Sequence, residues 1–185
     1  MSPGLRAVAA ACALAAAAAW MPAAAAAPDA SEAEIKAAYL CKFGNYIEWA
    51  EGAASAAAGA SFGIAIAGSE AETDVLQRVA LGANVGGRPI RVRRLGAGDT
   101  LLDERIVYVT HSQAARAPEL APVATEHGAL FVTEALDPGI HSMVNFVIED
   151  NKVRFDVDVA EAAAAHLKLS ARLLTVARRV LGAAP

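Results

Sequence analysis

The chain has 185 residues with 20 acidic and 16 basic side chains, a formal net charge of −4. That mild acidity argues against nucleic acid as the main partner and suits an ordinary water-facing surface. The length allows one domain with a proper core, and the 56% hydrophobic content is inflated by alanine near the start.

Residues 1–27 read as a secretory leader. Arg6 supplies the positive start, Ala7 to Ala19 form an uncharged apolar run, and Pro22 ends it before small residues that offer A-x-A cleavage sites. Pro28 disfavours a cut directly before it, so cleavage is expected before Ala26 or Ala27. The run is shorter than the ~20 residues a membrane span needs. Removal of Arg6 with the leader leaves 15 basic against 20 acidic residues, a net charge of −5. An exported chain is a poor fit to a cytosolic reaction driven by ATP or NAD. Cys12 leaves with the leader, so Cys41 is the one remaining thiol, and no internal disulfide is available.

The domain is expected over residues 28–185. Ser31 and Glu34 form a capping box. Ile35, Ala38, Tyr39, Phe43, Tyr46, Ile47 and Ala50 then keep helical spacing, with Trp49 beside them. An aromatic face this dense must be buried, either in the core or against a second copy or a partner. Residues 51–61 are an Ala/Gly/Ser tract expected as a flexible connector. Phe62–Ala67 is a buried strand, and Ser69 caps a helix running to about Leu81 with Gly82 as its stop. Gly86-Gly87 marks a turn before a strand in which Ile90 and Val92 alternate with Arg91 and Arg93. Those arginines read as a wet face. A short polar helix is expected over Asp99–Glu104, then the all-apolar strand Ile106–Val109. Ser112–His127 reads as a helix interrupted at Pro118 and ended by Gly128, followed by the strand Ala129–Thr133.

The texture then changes. Met143–Glu149 and Lys152–Asp158 alternate as an antiparallel hairpin around Asp150-Asn151. Two closing helices are expected, over Val159–Leu167 and Leu169–Leu181. The order implies one α/β three-layer sandwich, α/β/α, with a mixed, mostly parallel sheet and a C-terminal antiparallel hairpin.

Catalytic signatures are missing from the pattern. His111, His127, His141 and His166 share no zinc spacing, and no cysteine–histidine pair exists, so neither a metal nor a cofactor is implied. No nucleophile elbow, dinucleotide fingerprint or P-loop occurs. Ser69, His111 and Asn145 fall at strand ends, where open α/β sheets bind ligands, and form the candidate ligand pocket. For Ser69 itself, simple helix capping is the stronger reading. Lys168, Arg172 and Arg179 would lie on one stripe of the last helix, complementing its dipole or docking on an acidic protein or anionic lipid.

Several segments resemble one family. Ala33-Glu34-Ile35-Lys36-Ala37-Ala38-Tyr39-Leu40, followed by Phe43, Tyr46, Ile47, Glu48 and Trp49, resembles the first helix of YfiR-like periplasmic proteins. The likeness continues at Gly87–Val92, at Ile106–Val109, and most clearly at Met143–Asp150 with Val153–Val157. It closes at Leu167–Leu174 and covers about residues 32–181. The resemblance implies a dimeric, non-enzymatic periplasmic regulator that restrains the periplasmic part of an inner-membrane signalling enzyme. That enzyme would be a diguanylate cyclase, and the output control of cyclic di-GMP and biofilm. Tyr39, Phe43, Tyr46, Trp49, Lys168 and Arg172, with the Met143–Asp158 hairpin, are the candidate partner interface. The alternatives are a small-ligand receptor at Ser69, His111 and Asn145, and more remotely an exported hydrolase. Relatives with cysteine pairs differ from this chain in redox control, and Cys41-Lys42 departs from the family pattern.

Overall fold

The computed structural model describes residues 30–49, 61–134 and 139–182; the expected leader and nearly all of the Ala/Gly/Ser connector lie outside them. The first helix, α1, spans Glu32–Phe43 and starts at the expected box: Ser31 Oγ accepts from Glu34 N, and the Glu34 carboxylate accepts from Ser31 N at 2.8 Å. It stops before the sequence predicts. Residues 44–46 make a 3₁₀ turn, and Ile47–Glu48 form strand β1. Gly44 sits so close to Phe62 and Val85 that a Cβ would lie 2.8 Å from both. The chain then turns off to pair Ile47 with Leu169, which a longer helix would forbid.

The remaining elements are β2 (Phe62–Ala67), α2 (Glu70–Ala80), β3 (Asn84–Val85), β4 (Arg88–Arg94), β5 (Glu104–Val109), α3 (Ala117–Glu126), β6 (Leu130–Thr133), β7 (Val144–Glu149), β8 (Lys152–Asp158), α4 (Val159–Ala164), β9 (Lys168–Leu169), α5 (Ala171–Val176) and β10 (Arg179–Leu181). Eight strands form one sheet in the order β10-β8-β7-β6-β5-β2-β4-β3, and β1 pairs with β9 in a separate ribbon. The central neighbours are parallel, whereas β7–β8 and β3–β4 are antiparallel. Both hairpins use the expected turn pairs with positive φ, Gly86-Gly87 and Asp150-Asn151. Helices α1, α2 and α5 cover one face and α3 covers the other, so the mixed α/β sandwich is as expected. Ile64, Ile66, Ile106, Val107, Leu130, Val132 and Val157 are fully buried between the layers.

Three local expectations fail for physical reasons. Residues 99–103 are not helical: Asp99 closes a turn on Gly96 N, and Glu104 opens β5 instead. The Glu104 carboxylate is buried and receives Leu102 N and Arg93 Nε, both at 2.7 Å. Arg91 and Arg93 are therefore not a free wet face but clamps on Asp103 and Glu104. Pro118 does not interrupt a helix; it lies in the first turn of α3, where a missing N–H costs nothing, after a 3₁₀ turn over His111–Arg116.

The last segment departs most. The expected helix over Leu169–Leu181 is β9, a six-residue helix capped by Ser170, and β10 beside β8. Arg178 draws the chain back to the sheet, its Nε 2.7 Å from Asp156 Oδ1 and its backbone N–H donating to Phe155 O at 2.8 Å. Lys168 and Arg179 thus sit on strands, and the basic helical stripe does not form.

Candidate functional site

A groove lies between α1 and α5, floored by β8. Tyr39, Phe43 and Tyr46 enter it from α1 and the turn that follows, Phe155 from β8, and Arg172, Leu173 and Val176 from α5. Its volume is about 360 Å³. The floor is a ring cluster: Phe43 stands 5.3 Å from Phe155 and 5.9 Å from Phe146, centroid to centroid, and Tyr39 lies 5.4 Å from Phe155. Lys42 and Arg172, both exposed, give the rim two cations and no anion among its lining residues.

Four of the six expected interface residues meet here: Tyr39, Phe43, Tyr46 and Arg172. Phe43 is only 1% exposed, so it serves as floor, while Tyr39 and Tyr46 are half-buried. Lys168 lies just outside, opposite Glu48 in the β1–β9 ribbon, which is tied to the groove by Ser170 N donating to Tyr46 O. Trp49 points elsewhere, edge-on to Phe62. Lys42, a departure from the family pattern, and the 61%-exposed Val176 are not among the expected interface residues. The available signal for Val176 was Ser170, whose capping chemistry sets where α5 begins.

The three residues of the candidate ligand pocket sit on different elements: the cap of α2, the 3₁₀ turn after β5, and β7. Ser69 is the cap of α2, and Glu72 completes a second capping box. The Glu72 carboxylate accepts from Ser69 N and Oγ at 2.7 Å, from Ser112 Oγ at 2.8 Å and from Thr110 Oγ1 at 3.2 Å. This is the crevice beyond the carboxyl ends of β2 and β5, where the strand order reverses and an anion would bind, and the protein's own carboxylate occupies it. Burial would raise the Glu72 pKa, but the hydrogen bonds from Ser69, Ser112 and Thr110 outweigh it and lower the value. A carboxyl with a lowered folded-state pKa adds stability above the unfolded value and loses it as acid protonates the folded group. Replacing Glu72 by Gln should therefore cost about 1–2 kcal/mol at pH 7 and progressively less as acid protonates the folded carboxyl, below the range of a free glutamate, read from urea unfolding across that range. His111 is exposed on the following 3₁₀ turn, and Asn145 accepts from Thr133 Oγ1 at 2.8 Å on a different strand pair.

Beside that crevice lies a smaller cavity, about 200 Å³, lined by Glu32, Lys36, Glu72, Tyr108 and Glu134 among others. Lys36 is 7% exposed, with Nζ 2.7 Å from Glu134 Oε2 and a second contact to Glu32; the Tyr108 hydroxyl also donates to Glu134. Burial pushes the Glu134 pKa up despite the Lys36 ammonium. Burial pulls the Lys36 value down, yet the bonds to Glu134 and Glu32 win and leave it raised. These charges satisfy one another.

Cys41 is buried, and burial pushes its thiol up to about 11, so the thiolate needed for disulfide exchange is scarce near neutrality. Among the described residues, no group of three or more His, Cys, Asp or Glu side chains could hold a metal ion, and no helix is long and apolar enough to cross a membrane.

Comparison with known proteins adds one finding. No curated protein matches the chain. The family model described as YfiR/HmsC-like matches residues 33–178, which runs from the first turn of α1 through α5 to the Arg178 anchor. The chain belongs to the YfiR/HmsC-like family.

Proposed function

We propose that this protein is a non-enzymatic periplasmic regulator that binds the periplasmic part of an inner-membrane diguanylate cyclase and holds it inactive. Membership of the YfiR/HmsC-like family carries the general role, periplasmic control of cyclic di-GMP signalling. The observation that supports a surface mechanism is the α1–α5 groove: apolar floor, half-buried tyrosines, and a rim bearing Lys42 and Arg172. Aromatic floors ringed by arginine are where binding energy concentrates in protein interfaces. The cationic rim favours an acidic, amphipathic segment of the partner. By contrast, the crevice at the strand ends is filled by Glu72 and the neighbouring cavity by mutually paired charges, which weighs against the receptor alternative.

The regulator acts by differential binding to one state of its partner, and a coupling of about 1–3 kcal/mol suffices. In this reading it works as a homodimer. Deleting the gene should raise cellular cyclic di-GMP, measured by mass spectrometry. An Arg172→Glu variant should fold normally, because the side chain is exposed, yet lose co-purification with the cyclase at least tenfold. Unchanged cyclic di-GMP in the deletion strain, under envelope stress as well as in rich growth, would overturn this function.

A further inference from the structure

At the far end of the sheet from Glu72, three adjacent parallel strands begin together: β4 at Arg88, β2 at Phe62 and β5 at Glu104-Arg105. The pairing of β2 with β5 shifts register between Gly63 and Ile64. Across that irregularity Glu104 serves Arg93 and Arg91, while the next residue, Arg105, meets Trp49. The Arg105 guanidinium carbon stands 5.4 Å from the centre of the Trp49 ring, and that of Arg88 stands 5.7 Å from the centre of Phe62. The two rings themselves pack edge to face at 5.8 Å.

Among the described residues, neither Arg88 nor Arg105 is in an ion pair. Arg105 is 8% exposed, and its Nη1 is buried with no hydrogen-bond partner. The two carboxylates just before Arg105 in the chain are committed, Glu104 to Arg93 and the Leu102 amide, and Asp103 to Arg91. Burial, then the positive charge of Arg88, both disfavour the charged form of Arg105. An aromatic face returns only part of what dehydrating a guanidinium costs. Two like charges that repel each other, each over an aromatic ring and one with an unpartnered donor, carry the planar fork that oxyanions fit.

We propose that Arg88 and Arg105, supported by Trp49 and Phe62, form a binding site for a small oxyanion bearing a carboxylate or phosphate group. The site is separate from the α1–α5 groove and does not depend on the regulatory reading. Its test is titration of the purified, leader-free chain, in which Trp49 is the one tryptophan, with sodium phosphate and with citrate against sodium chloride at matched ionic strength. The expected result is a saturable change in Trp49 fluorescence and a rise in Tm with phosphate, citrate or both, and none with chloride. Response to only one anion supports the site and narrows its ligand class. Arg105→Met and Arg88→Gln should each weaken the response at least tenfold; should Arg105→Met fail to fold, the half-buried Arg88 position still decides. No saturable response to either anion, or one that Arg88→Gln leaves intact, would overturn the proposal.

Discussion

Replacing Lys36 by Met should lower the unfolding free energy by about 3–5 kcal/mol at pH 7. Lys36 is among the few buried charges of the fold, and its Nζ sits 2.7 Å from Glu134, itself nearly enclosed. Methionine keeps the length and apolarity of the stem, so the loss isolates the charge. Glu134 would remain in its pocket with the Tyr108 hydroxyl as its remaining donor there. The pH dependence follows from the sign of the shift. Burial already raises the Glu134 pKa, and loss of the ammonium raises it further. A group whose folded pKa exceeds its unfolded value contributes stability below the unfolded pKa and loses it as pH rises through the folded one. The deficit of Lys36→Met should therefore be smallest below about pH 4, the range of a free glutamate, and grow toward neutrality. The double variant Lys36→Met/Glu134→Gln should recover most of the loss at pH 7, since removing both members of a buried pair is far cheaper than removing one. Urea midpoints at pH 4 and pH 7 for the three proteins check this. A loss equal at both pH values would assign it to packing of the lysine stem instead.

Lys36 also marks a limit of reading the sequence. On a helical wheel it falls off the apolar face of α1, and its partner lies 98 residues away at the end of β6. Local spacing carries no trace of such a pairing. What local spacing does carry was legible: the Ser31–Glu34 box, the apolar runs of β2 and β5, the Gly86-Gly87 and Asp150-Asn151 turns, and the alternating hairpin all sit within a residue or two of expectation. Residues 169–181 were misread because Leu169, Leu173, Leu174, Ala177 and Leu181 satisfy helical spacing while the decisive forces are nonlocal. The Arg178–Asp156 pair and the ladder to β8 override propensity there. The groove was half legible for the same reason. Its α1 wall follows from aromatic spacing, but its α5 wall depends on a helix only six residues long. Glu72 shows the converse. Its place in a capping box was available three residues after Ser69, but its bonds to Thr110 and Ser112 needed the fold.

Truncating Phe43 to Ala should cost about 3–5 kcal/mol, the other large effect in this molecule. The aromatic face of α1 admitted two readings, core or contact surface, and at Phe43 the structure decides for core. Phe43 is core: it is 1% exposed, with Tyr39 stacked at 6.0 Å, Phe146 at 5.9 Å and Phe155 edge-on at 5.3 Å. Removing its ring leaves a void under β7 and β8 that helix α1, held by Gly44 against Phe62 and Val85, cannot easily slide to fill. Phe43→Leu retains most of the volume and should cost less than about 2 kcal/mol. Tyr46, half-buried beside the same groove, has solvent on one side, and its truncation should cost well under half as much as that of Phe43. Thermal and urea unfolding of the three variants rank these losses. If Tyr46→Ala destabilised the monomer as much as Phe43→Ala, the groove would be a structural seam between α1 and α5. A small loss for Tyr46→Ala joined to weakened co-purification with the proposed cyclase partner would instead mark its ring as surface kept for a partner, because a side chain that stabilises the complex need not stabilise the free fold.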